Sequence, residues 1–234
     1  MTAGEKIAEK LAELGLTRVV HFTPAKNLHH IVADGQITSN KVLAEHAPEY
    51  FDPTDPYRLD DRPDMTCVTF TYPNPFYFDS ARKLPQFRRF PDWVCLLITA
   101  EVLTRDGVLF CECNAAKGGG AHLRTGKEGL ERCFADVTLG YQRGPTHHPF
   151  AATDLQAEAL IPGPIPLSDI TAIVTPTGEA AGNGQARLRA SDLDPDQFTW
   201  LVSKKMFTTW PLVNAIHSGQ SVPETLWTPG GEEN

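Results

Sequence analysis

Apolar positions recur at helical spacing from the start of the chain. Ile7, Leu11 and Leu14 fall at i, i+4 and i+7. Thr2 and Glu5 stand where a capping box needs them, and Gly15 suits a left-handed stop. The spacing predicts a helix over 2–15. The apolar run Val19-Val20-His21-Phe22 predicts a strand, and Thr23-Pro24 has the residue types of an N-cap and a first helical position. Leu28, Ile31 and Val32 give the next helical face, which Gly35 ends. The chain therefore opens helix, strand, helix.

Farther along the pattern is less regular. Residues 44–66 are rich in Pro and Asp and show no period, which predicts a long loop of the kind that often carries function. Cys67–Thr71 predicts a strand, broken by Tyr72-Pro73-Asn74-Pro75 and resumed by Phe76-Tyr77-Phe78. Trp93–Thr99 predicts a buried strand, and Val108–Phe110 a short extended piece. Residues 117–127, with Gly118-Gly119-Gly120, predict a loop, and 128–136 a helix. Ala157–Ile161 and Ile170–Val174 predict strands around Pro162-Gly163-Pro164. The Gly-rich 178–187 predicts a loop, 194–206 and 209–218 helices, and the tail from about 222 predicts fraying. Short strands mixed with helices in irregular order imply an α+β class. The length fits one domain over 1–234.

Composition narrows the function classes. Apolar residues at 41% and charged residues at 21% exclude global disorder. A net charge of -8, from 21 Lys+Arg against 29 Asp+Glu, excludes a generic basic nucleic-acid coat but leaves room for a local basic groove. No apolar run is long enough for a membrane span, and the charged N-terminus lacks a signal-peptide pattern, so a cytoplasmic location is expected. The odd count of five cysteines fits reduced thiols. Cys111-x-Cys113 has no second pair at zinc spacing, so no metal is expected. There is no P-loop, G-x-G-x-x-G or H-E-x-x-H.

Four groups invite chemistry, each with a plainer alternative. His21 and Thr23 flank Phe22 at a strand end that opens into a helix. They are a satisfied core histidine and a cap, or they mark backbone N–H groups that hold an anion or an amide. Arg58, in Tyr57-Arg58-Leu59-Asp60, is a solvated loop cation or a fork for a diphosphate. Tyr77, between Phe76 and Phe78, is core or a platform for a planar ring. Glu158, in Gln156-Ala157-Glu158-Ala159-Leu160-Ile161, pays a desolvation cost on an apolar strand unless it is paired or used, or it is an edge charge against aggregation.

In order and spacing, these pieces resemble the DarT family, nucleic-acid ADP-ribosyltransferase toxins of bacterial toxin–antitoxin systems. The matching pieces are His21-Phe22-Thr23 with Asn27-Leu28, Tyr57-Arg58-Leu59-Asp60, Cys67–Thr71 with Asn74 and Phe76-Tyr77-Phe78, Trp93–Thr99, Phe110-Cys111-x-Cys113-Asn114-Ala115-Ala116, and Gln156–Pro162. The resemblance implies two small packed sheets around a cleft for NAD, the co-substrate, with no metal. It implies Glu158 as the catalytic carboxylate and Arg58 on the phosphates or the catalytic step. His21, Phe22 and Thr23 would meet the ribose and the nicotinamide amide, Asn27 the adenosine or phosphate side, and Tyr77 the nicotinamide ring. The acceptor would be a base of single-stranded DNA. Thr71–Arg82 is more similar to the guanine-modifying branch than to the thymine-modifying one. The acidic balance keeps open an acceptor on RNA or a protein side chain. Asn114, Arg82, Arg88 and Arg124 are candidate nucleic-acid contacts, and a macrodomain antitoxin of the DarG type is the implied partner.

Overall fold

The first helix forms where its end signals stand. In the computed structural model, which describes residues 1–46, 59–87 and 91–230, α1 spans Ala3–Leu14. The Glu5 amide donates to Thr2 Oγ1 (3.1 Å) and the Thr2 amide to Glu5 Oε2 (2.7 Å), while Gly15 closes the helix at φ 63°.

The elements that follow are β1 (Arg18–Pro24), α2 (Leu28–Ala33), β2 (Gln36–Ile37), α3 (Asn40–His46), β3 (Met65–Phe70), α4 (Pro75–Ala81), β4 (Trp93–Thr99), β5 (Leu109–Cys111), β6 (Leu123–Thr125), α5 (Gly126–Cys133), β7 (Val137–Thr138), β8 (Tyr141–Gln142), β9 (Glu158–Pro162), β10 (Ile165–Pro166), β11 (Ile170–Thr175), α6 (Gly178–Arg189), β12 (Trp200–Val202), α7 (Thr209–His217) and β13 (Thr225–Leu226). Among the described residues nine strands form one sheet, in the order β13-β12-β11-β4-β1-β3-β9-β5-β6, and β2–β10 and β7–β8 form two small ribbons. The architecture is α+β. The two small sheets that the resemblance implies are here one, because β1 pairs with β3 at two positions before the strands part.

Both faces of the sheet's centre are covered. Val19, Val94, Leu96 and Ile98 join a core with Ile7 and Leu11 of α1. Val20, Cys95 and Leu97 join a second core with Phe78 of α4 and Leu212 and Ile216 of α7. Period-two alternation thus sends successive side chains of β1 and β4 into different cores, and a strand buried on both faces reads as the unbroken apolar run Trp93–Thr99.

Several elements depart from the pattern. Phe76-Tyr77-Phe78 is helical. Asn74 Oδ1 accepts from the amides of Phe76 (3.1 Å) and Tyr77 (3.0 Å), and Pro75 follows, so cap and N1 proline outweigh the strand preference of three aromatics. Thr23-Pro24 does not start a helix: both residues complete β1, and a 3-10 turn, Ala25–Asn27, precedes α2. The expected loop 44–66 is helical to His46 and strand from Met65, with 47–58 outside the described residues. The expected loop 117–127 ends in β6 and the start of α5.

Residues 178–187 lie within α6, capped by Thr177 Oγ1 on the Ala180 amide (3.1 Å). A Cβ on Gly184 would come within 3.0 Å of the Trp200 ring, so this glycine permits close packing rather than a bend. Instead of a helix, 194–206 holds β12, which pairs in parallel with β11, and part of a 3-10 turn, Lys204–Phe207. The tail is docked. β13 pairs with β12, the Trp227 amide donates to the Trp200 carbonyl (2.9 Å), and Glu224 forms a two-bond pair with Arg18 (2.7 and 2.5 Å). No helix among the described residues is long and apolar enough to cross a membrane.

Candidate active site

The cleft is where β1 loses a neighbour. β1 pairs with β4 along its whole length, from Arg18↔Thr99 to Pro24↔Trp93. With β3 it shares only Val19↔Phe70 and Val20↔Thr69. Beyond Val20 the two strands separate, and a cleft of about 340 Å³ opens between them, floored by β1, β3 and Glu158 and walled by Asn74, Tyr77 and Asn114. That size falls in the range of small-molecule sites.

Strand geometry then dictates which groups face the opening. The Arg18 carbonyl accepts from the Thr71 amide, and Val20 O from Thr69 Oγ1 (3.3 Å). Peptide direction repeats every two residues, so the N–H and C=O of Phe22 point the same way, past the last β1–β3 pair and into the cleft. His21 bridges the parting strands, with Nδ1 2.9 Å from the Cys67 carbonyl. A carbonyl only accepts, so Nδ1 carries the proton. Burial pushes the His21 pKa down, which keeps the ring neutral and leaves Nε2 an acceptor.

Glu158 is the first residue of β9 and lies between two partner strands, opposite Thr69 on β3 and Cys111 on β5. It is 9% exposed, and Oε1 accepts from the Ala115 amide at 2.6 Å. This short, charge-assisted bond orients the carboxylate. Asn114 shapes the turn that supplies the amide, its Oδ1 accepting from Ala116 N (3.0 Å). The turn continues through Gly118-Gly119-Gly120. Gly120 has φ 80°, and a Cβ there would sit 2.8 Å from the Asp60 carbonyl, so the glycine run seats the turn against the far wall.

Tyr77, in the first turn of α4, lines the cleft. Phe22 stands beside it, 5.8 Å between centroids, and packs against Phe78 and Trp93. Thr23 is buried, and its Oγ1 accepts from Asn27 Nδ2 (3.0 Å), so both line the cleft as a bonded pair. The fold thus brings His21, Phe22, Thr23, Asn27, Tyr77, Asn114 and Glu158 around one opening. Arg58 and Arg88 lie outside the described residues. Arg82 and Arg124 do not line the cleft: Arg82 holds Asp79 (2.6 Å), and Arg124 caps the carbonyls of Ala121 and Leu123. The described lining includes Asp34, Asp60 and Glu158 but no Lys or Arg.

Sequence reasoning missed the Ala115 amide and the Cys67 carbonyl, which are backbone groups without a residue-type signal. It also missed Asp60, which is buried in the cleft wall, with Oδ1 accepting from Arg62 N (3.1 Å). An acidic side chain followed two residues on by a bonded amide is an Asx-turn signal, but Asp60 stands among Asp61 and Asp64. Among the described residues no cluster of three or more His, Cys, Asp or Glu could hold a metal.

A family model described as "ssDNA thymidine ADP-ribosyltransferase, DarT" matches residues 20–206. Among solved structures, the chain is similar to Thermus sp. 2.9 DarT in complex with NAD+, with TM-score 0.56, 15% identity, and coverage of 82% of this chain and 97% of that one. The same protein in complex with ADP-ribosylated ssDNA gives TM-score 0.55 at 15% identity, with the same coverage. Thermosipho africanus DarTG in complex with ADP-ribose gives 0.53 at 13% identity, covering 82% of this chain and 51% of that one. At these identities the likeness is one of fold. A comparison with curated proteins finds no match.

Proposed function

The chain belongs to the DarT family of ADP-ribosyltransferases, and from that premise we propose that its cleft binds NAD and that Glu158 promotes transfer of ADP-ribose to a base of single-stranded DNA. The observation that carries this reading is the placement of Glu158. It is a carboxylate buried at the cleft floor, between two strands, and held by a backbone amide.

The chemistry suits such a group. The bond from the ribose anomeric carbon to nicotinamide breaks, the electron pair leaves with the ring, and nicotinamide departs neutral. The sugar gains oxocarbenium character, which a fixed carboxylate stabilises. A base nitrogen then bonds to the anomeric carbon and gives up its proton, for which Glu158 is the acceptor.

The other groups divide NAD between them. The outward N–H and C=O of Phe22 form a donor–acceptor pair matched to a primary carboxamide, and Tyr77 supplies a face for the nicotinamide ring. His21 Nε2 accepts from a ribose hydroxyl, and Thr23 and Asn27 take the neighbouring polar groups. The described lining has no Lys or Arg, and Arg58, which the family resemblance implies for the phosphates or the catalytic step, is the proposed fork for the diphosphate.

Two acceptor bases are in question: thymine, from the description of the family model, and guanine, from the segment Thr71–Arg82. Mass spectrometry of single-stranded oligonucleotides lacking one base or the other, incubated with NAD, decides between them. RNA and protein run in parallel. Modification confined to either of those, or undiminished in Glu158→Gln, overturns the reading. A DarG-type macrodomain is the proposed neutralising partner, and the Thermosipho relative is itself described as DarTG.

A further inference from the structure

Acidic residues are unevenly spread. The chain carries 29 Asp+Glu in 234 residues, yet 197–223 contain none. That stretch forms β12, the turn Lys204–Phe207 and α7, and brings Lys204 and Lys205 to the surface beside α4. Lys204 is exposed, and Lys205 Nζ donates to the Ser221 carbonyl (3.3 Å). The C-terminal end of α4 adds Arg82 and Lys83. Both hold Asp79, at 2.6 and 2.5 Å, so four cations on this face meet one carboxylate.

The same face exposes aromatic surface. Trp210 is 65% exposed, and its ring meets half-buried Phe76 edge-on at 6.2 Å. Thr209 Oγ1 donates to the Pro75 carbonyl (3.4 Å), tying the start of α7 to the start of α4. Asn74, the cap of α4, and Tyr77, in its first turn, line the cleft, so the helix that carries Phe76 also contributes to the cleft wall. An exposed tryptophan beside uncompensated cations, on a protein of net charge -8, is complementary to a polyanion with planar bases.

We propose that the face of α4, Lys204–Phe207 and α7 is the track along which single-stranded DNA enters the cleft, with Trp210 and Phe76 stacking bases and Lys204 and Lys205 meeting phosphates. The proposal rests on the function proposed above and adds a surface to it. It also sets aside Arg124, whose guanidinium is taken up by carbonyls of its own turn.

The test is fluorescence anisotropy with a labelled single-stranded oligonucleotide over a range of salt. Trp210→Ala weakens binding roughly 5- to 150-fold, the effect of one lost base stack, and Trp210→Phe restores most of it. Lys204→Ala/Lys205→Ala flattens the slope of log affinity against log salt by about 1.4, at about 0.7 per phosphate contact on a single strand. Thermal unfolding at the wild-type temperature shows that each variant folds. If both variants keep wild-type affinity and salt slope, the track is wrong while the proposed function stands. If the wild type binds no single-stranded DNA, both fall. If Trp210→Ala abolishes self-association but leaves DNA affinity intact, the face belongs to a second copy of the chain and the proposal is overturned.

Discussion

The two flanks of β1 face opposite demands. Toward β4, every residue from Arg18 to Pro24 is paired, and the neighbouring side chains are almost wholly buried. Toward β3, the ladder stops after two pairs, and a histidine side chain bridges the opening gap. One flank spends its backbone groups on stability. The other leaves a peptide N–H and C=O pointing at the cleft and sets a buried carboxylate across from them. The difference teaches that this site is made by withholding a strand pairing, and that the closed flank makes the withholding tolerable.

The sharpest separation comes from one variant on each side. Glu158→Gln keeps an oxygen for the Ala115 amide, so the unfolding temperature stays near wild type while kcat for ADP-ribosyl transfer falls on the order of 10²–10⁴-fold. Ile98→Ala, at a fully buried position of β4 on the closed flank, does the reverse. It costs about 2–5 kcal/mol in urea unfolding and leaves kcat per folded molecule unchanged. A loss of turnover in Ile98→Ala at full folding would erase the contrast.

Acid probes the connector that delivers Glu158. His147 lies between β8 and β9, its Nε2 3.0 Å from the Ala152 carbonyl, and burial, with Arg143 nearby, lowers its pKa to about 4. The folded form therefore binds its proton less readily than the unfolded chain. The stability His147 contributes is complete above about pH 6.5 and is lost as pH falls toward 4, by on the order of 3 kcal/mol. Calorimetry from pH 7 to 4 measures the loss, and His147→Gln flattens it. The smallest expected effect is Asn74→Ala, which removes the α4 cap. It costs about 1 kcal/mol and raises KM for NAD as the Tyr77 turn loosens, readable by thermal melts and initial rates.

Local signals made much of this fold legible. The capping box of α1, the Gly35 stop of α2 at φ 73° and the apolar run of β4 each act within a few residues. The candidate site was legible as residue types at the right order, and His21, Thr23, Tyr77 and Glu158 do share one cleft. Where the reading failed, a distant partner held the information. The glycines of α6 look like a loop until Trp200 is seen against Gly184, and β12 is a strand because β11 lies beside it. The aromatic triplet of α4 is a different case, since the local helix-start signal Asn74-Pro75 prevails there over the strand propensity of three aromatics.

What the sequence by itself determined is the set of caps, periodic faces and chemistry-bearing residues, because those depend on contacts a turn or two apart. Only the tertiary structure decided that β1 and β3 part after Val20, that the Ala115 amide meets Glu158 and that the tail docks on β12. Each joins residues dozens of positions apart, and the choice among such pairings lies in the packing of the whole sheet rather than in any segment of it.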